Sequence, residues 1–216
     1  MKLLEIAAMD RKLARKITNH GREMVTGGFA SKKNKMIVKW ESQIEQDFLF
    51  HLEFDDSVLS YRSQAYRLDY NFEGKVTHHF PDIQVTRANG QIDYYEIKPL
   101  DKTTSDKFKS RTKAIAERMA SLGHGYAVVT DADIRIQPRL ENLKILYRYI
   151  DVEISVDDEA TIMDLIAFSM PINEFASLLD IAGFDLSVCY ALMARGKISF
   201  DINTPIDMQM MISRTD

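Results

Sequence analysis

The sequence predicts an α/β protein with a mixed sheet flanked by helices over residues 1–150 and a smaller, mainly helical unit over 151–216. Three observations carry this. Stretches with period-two alternation and stretches with helical spacing follow one another as helix, three or four strands, helix, strand, helix. A two-stranded hairpin is legible between Pro81 and Lys98. The charge also changes sign along the chain. Residues 151–216 hold three Lys/Arg (Arg195, Lys197, Arg214) against twelve Asp/Glu, a net of −9; of the 28 basic and 32 acidic residues overall, 25 and 20 remain in 1–150, a net of +5. Two such parts face different partners.

Composition narrows the class. Apolar residues make up 45% of 216, ample for a packed core. The single Cys189 allows no internal disulfide and points to a reducing cytosol. No signal peptide and no apolar run of membrane-spanning length is seen, so a soluble cytosolic protein is expected.

Taken in order, residues 2–20 read as a helix, with Leu3, Leu4, Ile6, Leu13 and Ile17 near helical spacing and Arg11, Lys12, Arg15 and Lys16 opposite. Gly27-Gly28 to Asn34 reads as a loop, with Lys32, Lys33 and Lys35 at its end. Residues 1–40 carry ten Lys/Arg against three acids, a basic arm suited to phosphate binding or to simple solvation. Residues 41–55 form a helix with an apolar stripe at Ile44, Phe48, Leu49 and Leu52. Glu41 and Glu45 share one face, and Glu53 drifts off it. Each of these acids reads either as a ligand beside the hairpin or as an ordinary surface acid.

Short strands follow at Val58–Tyr61 and Tyr66–Tyr70, and Gly74 turns the chain into Val76–Phe80. His78 and His79 lack further partners at metal spacing and read as packing or nucleic-acid-facing residues. After Pro99 comes a basic amphipathic helix near 104–121 with Lys107, Lys109, Arg111, Lys113 and Arg118. Gly125–Thr130 reads as a buried strand and Leu140–Ile150 as a helix. Beyond the charge switch at 150–157 lie helical patterns at Ala160–Phe168, Ile172–Leu179 and Leu186–Ala194, then a strand at Lys197–Ile202. Helix-turn-helix plus strand reads as a winged helix. Its net charge makes phosphate binding unfavourable, which favours a protein-docking role. Met208, Met210, Met211 and Ile212 belong either to that interface or to the core.

The hairpin carries the chemistry. Ile83 and Val85 alternate with Gln84 and Thr86, Asn89-Gly90 signals the turn, and Ile92–Lys98 is β-branched and aromatic. A two-residue turn would set Asp82 opposite Ile97. A three-residue loop, Ala88-Asn89-Gly90, pairs Arg87 with Gln91 and Asp82 with Glu96, and is preferred, with Gly90 in the left-handed position. Two carboxylates and the Lys98 ammonium then meet at one end of a sheet. Oxygen ligands so placed suit Mg²⁺ or Mn²⁺, and Lys98 can orient or activate water or steady phosphate charge.

Pro81-Asp82 followed by Glu96-Ile97-Lys98 resembles the PD-(D/E)xK nuclease motif. With Gly28-Phe29-Ala30-Ser31-Lys32, Trp40 to Phe48, Leu52-Glu53-Phe54-Asp55, Val58 and Gln64, the resemblance sharpens to TnsA, the endonuclease subunit of heteromeric transposons, over roughly 25–100. It implies a restriction-endonuclease-like fold and metal-dependent cleavage of DNA at the 5′ strands of transposon ends. It also implies a TnsB-like DDE transposase partner for the 3′ strands and a TnsC-like AAA+ regulator docked on 151–216. It assigns catalysis to Glu45 (with Glu41 as the alternative), Asp82, Glu96 and Lys98, and metal binding to Asp82, Glu96, the Ile97 carbonyl and Glu45. DNA binding is expected at Lys32, Lys33, Lys35, Lys107 and Lys109, and a place in the bacterial cytosol near the nucleoid. The best-known member has Gln where this chain has Glu96, and members usually follow the Gln64-type residue with Pro, not Ala65. Two other classes compete: another nuclease of this fold, such as a restriction enzyme or resolvase, and a catalytically silent DNA-end adaptor.

Overall fold

The computed structural model describes residues 25–215; the helix expected over 2–20, and the arm before residue 25, lie outside them. The chain divides into two compact units at Arg135/Ile136, ahead of the charge switch near 150.

The described part of the first unit opens with an antiparallel hairpin, β1 (Gly27–Ser31) and β2 (Met36–Trp40), where a loop was expected over 27–34. The missed signal is alternation. Phe29, Ser31, Val38 and Trp40 are buried in turn while their neighbours face out. Gly27 is needed because the Trp40 indole lies against it, where a Cβ would fall 2.3 Å from a ring carbon.

Helix α1 (Gln43–Phe54) starts at Ser42, whose hydroxyl accepts from the Glu45 N–H. Of the expected stripe, Phe48, Leu49 and Leu52 are buried and Ile44 is half-buried. A four-stranded sheet follows, built from β3 (Val58–Ser63), β6 (Ile83–Arg87), β7 (Ile92–Lys98) and β8 (Gly125–Thr130), in the order β3-β6-β7-β8. The first two pairings are antiparallel and β7–β8 is parallel, so the sheet is mixed. Between β3 and β6 the chain makes a separate hairpin, β4 (Leu68–Phe72) with β5 (Lys75–His79), turning at Glu73-Gly74 with both φ angles positive.

Helix α2 (Asp106–Ser121) makes the crossover that a parallel β7–β8 pair requires. Its Ile115 and Met119 bury against Leu68, Tyr70 and Tyr94. Neighbouring Tyr95 instead meets Phe48 of α1, ring centroids 5.3 Å apart. Adjacent strand residues point to opposite faces, so the two helices cover opposite faces of β7. Strand β8 is half-buried rather than buried, because it lies at the sheet edge. The short α3 (Asp131–Ile134) closes the unit.

The second unit begins with α4 (Arg139–Tyr147) and continues with α5 (Val156–Asp164), β9 (Met170–Pro171), α6 (Ile172–Ala182), α7 (Ser187–Ala194), β10 (Ile198–Ser199) and β11 (Met211–Arg214). The strands form an antiparallel sheet in the order β10-β11-β9. Helix α5 starts earlier than its apolar pattern suggested, because Ser155 caps it and Asp157, Asp158 and Glu159 favour its N-terminal dipole. Phe168, expected in that helix, lies beyond it and is exposed. Gly183, at φ +83°, ends α6. The methionine alternatives separate by position: Met210 and Ile212 are core, whereas Met208 and Met211 are exposed. Buried Asn142 ties the 202–206 loop to α4, donating to the carbonyls of Ile202 and Thr204 and accepting from the Ile206 N–H.

Candidate active site at the end of the central hairpin

The register is the three-residue-loop register. Ile83 pairs with Tyr95, Gln84 with Tyr94, Val85 with Asp93 and Thr86 with Ile92. The loop closes with Arg87 N–H donating to the Gln91 carbonyl at 2.8 Å and Gly90 N–H to the Arg87 carbonyl at 2.9 Å, Gly90 at φ +86°. The far end of the hairpin is clamped by the Arg87 guanidinium on Asp93, Asp55, Ser57 and Tyr95. Extended back by one pair, the same register sets Asp82 opposite Glu96.

At that end the side chains meet. Lys98 Nζ lies 3.1 Å from Asp82 Oδ2 and 2.9 Å from Glu96 Oε1. The Ile97 N–H donates to Asp82 Oδ2 at 2.7 Å. Glu45 belongs to the same group electrostatically. Burial, then the Asp82 charge, push its carboxyl from the ordinary 4.5 up to about 7, against hydrogen bonds from the Glu41 N–H and the Ser42 hydroxyl. Burial and Glu96 likewise raise Asp82. Glu96 goes the other way: burial pushes it up, but His79 and Lys98 outweigh that and hold it down. For Lys98 burial pulls down, and the two carboxylates more than reverse it. Three acids share one ammonium, a surplus of negative charge in a desolvated place, which is what a divalent cation relieves.

Among the described residues no three His, Cys, Asp or Glu side chains already surround one metal-sized point. Among the described buried side-chain atoms, Trp40 Nε1, His79 Nε2, Glu96 Oε2 and Tyr126 Oη lack an aligned hydrogen bond. Glu96 itself holds one of them, and His79 Nε2 sits 3.0 Å from it.

Several expectations change. Lys33 is not available to phosphate: it turns inward, and its ammonium donates to the carbonyls of Asp55 and Val58 just past α1. Lys32 and Lys35 remain exposed on the β1–β2 turn, and Lys107 and Lys109 on α2. Glu53 is no surface acid. It is 4% exposed and accepts from the Ser31 hydroxyl, the N–H groups of Lys32 and Lys33, and the Tyr61 hydroxyl, so it anchors the turn rather than the site. Glu41 accepts from Gln64 Nε2 at 2.7 Å. His78 is exposed and stacks edge-on to Phe80, whereas His79 faces Glu96 and is more than packing.

Gln64 is the residue that motif reasoning undervalued. It is 2% exposed, holds φ +43°, donates its N–H to the Asp82 carbonyl at 2.9 Å and grips Glu41 with its side chain. It thereby links the start of α1 to the backbone of the sheet acid. A non-glycine residue in left-handed backbone after a strand has no signature in a single sequence.

An acid after proline, a Glu-x-Lys opposite it on the next antiparallel strand and acids at the start of a covering helix form the pattern expected of a PD-(D/E)xK nuclease. Residues 55–131 match the family model of the TnsA-like endonuclease N-terminal domain. Over that span, well under half of the 216 residues, the chain is similar to this family; the span includes Asp82, Glu96 and Lys98 and begins after Glu45. A search of curated proteins returns no match to the chain.

The raised Glu45 carboxyl has a consequence for stability. A carboxyl whose folded pKa lies above its unfolded value stabilises the fold below the unfolded value and loses that contribution as pH rises through the folded one. From 4.5 to about 7, this amounts to roughly 3 kcal/mol. Metal-free wild type is therefore expected to lose stability between pH 5 and pH 8 relative to Glu45→Gln. Urea melts at both pH values measure the difference, and an unchanged gap would refute the assignment.

Proposed function

We propose that this chain is the endonuclease subunit of a transposase, cutting the 5′ strands at the ends of the element while a TnsB-like DDE transposase cuts and joins the 3′ strands. The observation that carries this reading is the convergence of Asp82, Glu96 and Lys98 across one hairpin register. Asp82, Glu96 and the Ile97 carbonyl hold the divalent ion, Mg²⁺ or Mn²⁺, with Glu45 nearby. When bound, that ion supplies positive charge to the scissile phosphate and acidifies water. The chain's own residues do the rest. Asp82 is fixed by the Ile97 N–H and by Gln64 on its carbonyl. Glu45 is fixed by its own helix start. Lys98, kept protonated by two carboxylates, lends charge to the phosphate rather than taking a proton.

DNA lies against the basic first unit, at Lys32 and Lys35 of the β1–β2 turn and Lys107 and Lys109 of α2. The second unit, three helices with a small antiparallel sheet after α4, is read as a winged helix that docks protein, a TnsC-like AAA+ regulator, because its acidic charge opposes phosphate. No single helix among the described residues is long and apolar enough to cross a membrane, and the proposed workplace is the cytosol beside the nucleoid.

The direct test incubates the protein with its transposase, an element-end duplex and Mg²⁺ and maps the cut strand. Partner-dependent nicking of the 5′ strand is expected. Cutting of plain plasmid by this chain alone would favour a restriction-type enzyme, and no cutting under any combination would favour an adaptor. The lysines give a second prediction. Lys32→Glu with Lys35→Glu is expected to weaken DNA binding and flatten its salt dependence by about one unit of logarithmic slope for each phosphate no longer neutralised. Lys33→Glu should instead act on stability, since it buries a carboxylate against two carbonyls. Filter binding across a salt series, beside urea melts, distinguishes these; equal slopes in wild type and the double variant would remove the turn from the DNA interface.

A further inference from the structure

We propose that His79 is a positioning residue for Glu96, donating its Nε2–H to Oε2 so that Oε1 is left facing Lys98 and Asp82. This rests on the metal reading above and deepens it. His79 ends β5, three residues before Asp82, and is 7% exposed. Its Nε2 lies 3.0 Å from Glu96 Oε2, while the other carboxylate oxygen lies 2.9 Å from Lys98 Nζ. The two oxygens of one acid are thus divided between two cationic or donor groups.

A packing role alone does not account for this arrangement. A packing residue at a buried position beside a carboxylate would be apolar, or its nitrogens would be fully bonded. Here the Nε2 and Oε2 atoms face each other at close range without the alignment of a finished hydrogen bond. Beside them stands Tyr126, its ring edge-on to His79 at a centroid distance of 6.1 Å and its hydroxyl buried without a hydrogen-bond partner. Glu96 and Asp82 both act on that hydroxyl, after burial, as charges opposing its ionisation. Polar atoms short of their bonds thus stand beside Glu96, one of the acids proposed to hold the metal. A small turn of the Glu96 carboxylate completes the His79 bond. Groups that orient a metal-binding carboxylate in this way tune affinity without touching the ion.

The test uses full-length protein without DNA, in wild type, His79→Ala, His79→Gln and Glu96→Gln. Glutamine can return an amide N–H to the place of Nε2; alanine cannot. Mn²⁺ titration followed by electron paramagnetic resonance is expected to show affinity lowered about 10- to 100-fold in His79→Ala and restored to within a few-fold of wild type in His79→Gln. In metal-free wild type, the His79 Nε2 resonance should be that of a protonated nitrogen, and it should move in Glu96→Gln. Wild-type Mn²⁺ affinity in His79→Ala, or His79→Gln as weak as His79→Ala, overturns the positioning role while the metal reading stands. Should wild type take up no Mn²⁺, the metal reading fails and takes the positioning role with it. A His79 resonance indifferent to Glu96→Gln overturns the pairing itself. Thermal melts report folding, and should His79→Ala not fold, the His79→Gln and resonance arms decide.

Discussion

Asp82→Asn is expected to lower the rate of strand cutting by about 10³-fold or more and to leave the fold standing. Asparagine keeps an oxygen to accept from the Ile97 N–H, which Asp82 Oδ2 does at 2.7 Å, so the strand end is not released. What it removes is the charge. Asp82 sits with Glu45 and Glu96 around one ammonium, and its own carboxyl is pushed upward by burial and by Glu96. A group raised in this way destabilises the metal-free fold at neutral pH. Asp82→Asn is therefore expected to be at least as stable as wild type at pH 8 without metal, and to be without the stabilisation that Mn²⁺ gives wild type. Loss of activity with gain or no loss of stability separates a chemical role from a scaffold role. Single-turnover cutting of an end duplex, with melts with and without Mn²⁺, reads both. Residual cutting within tenfold of wild type would remove Asp82 from the site.

The hairpin shows how much a single sequence can carry. Asn89-Gly90 alone signals a turn, but the choice between a two- and a three-residue loop decides whether Asp82 meets Glu96 or Ile97. The three-residue loop puts Gly90 at the left-handed position, and the pairs observed are those of that register. The helix acids were legible as a pair, Glu41 and Glu45, but not their different fates. Glu45 folds back on its own helix start and feels Asp82, whereas Glu41 is taken by Gln64. That distinction depends on a left-handed Gln64 placed by the sheet, which no local pattern encodes.

Other misses have the same origin. The stretch from Gly27 looked like a loop because glycines and lysines dominate it, yet tertiary burial of Phe29 and Trp40 made it a hairpin. Lys33 was indistinguishable in sequence from Lys32 and Lys35, and only the end of α1 beside the turn separates them. Glu53 looked like a stray helix acid and is instead the acceptor that holds that turn. His79 gave no metal spacing because its partner lies on another strand rather than nearby along the chain. For Lys33, Glu53 and His79 the deciding interaction joins residues far apart in sequence, and periodicity reports only near neighbours.

Lys98→Ala is expected to lower the chemical step about 10²-fold or more while DNA affinity changes little. The ammonium lies 3.1 Å from Asp82 and 2.9 Å from Glu96, and these carboxylates hold its proton more firmly than an ordinary lysine does. It is therefore charged throughout the neutral range, and the contribution expected of it is positive charge beside the phosphate, not proton abstraction. Stability follows with a definite sign. A lysine raised in the fold contributes fully below its ordinary 10.5, so wild type has the whole contribution at pH 5 and at pH 8. Removing it leaves Asp82 and Glu96 to repel one another once both ionise, so the deficit of metal-free Lys98→Ala should grow from pH 5 to pH 8. Added Mn²⁺ should shrink that deficit, since the ion takes over the counter-charge, without returning the original rate. Lys98→Arg should not recover the rate either, because a planar fork cannot place its charge at the point the compact ammonium occupies. Single-turnover rates, DNA binding by anisotropy and urea melts at the two pH values measure all three effects, and wild-type turnover in Lys98→Ala would sink the catalytic role.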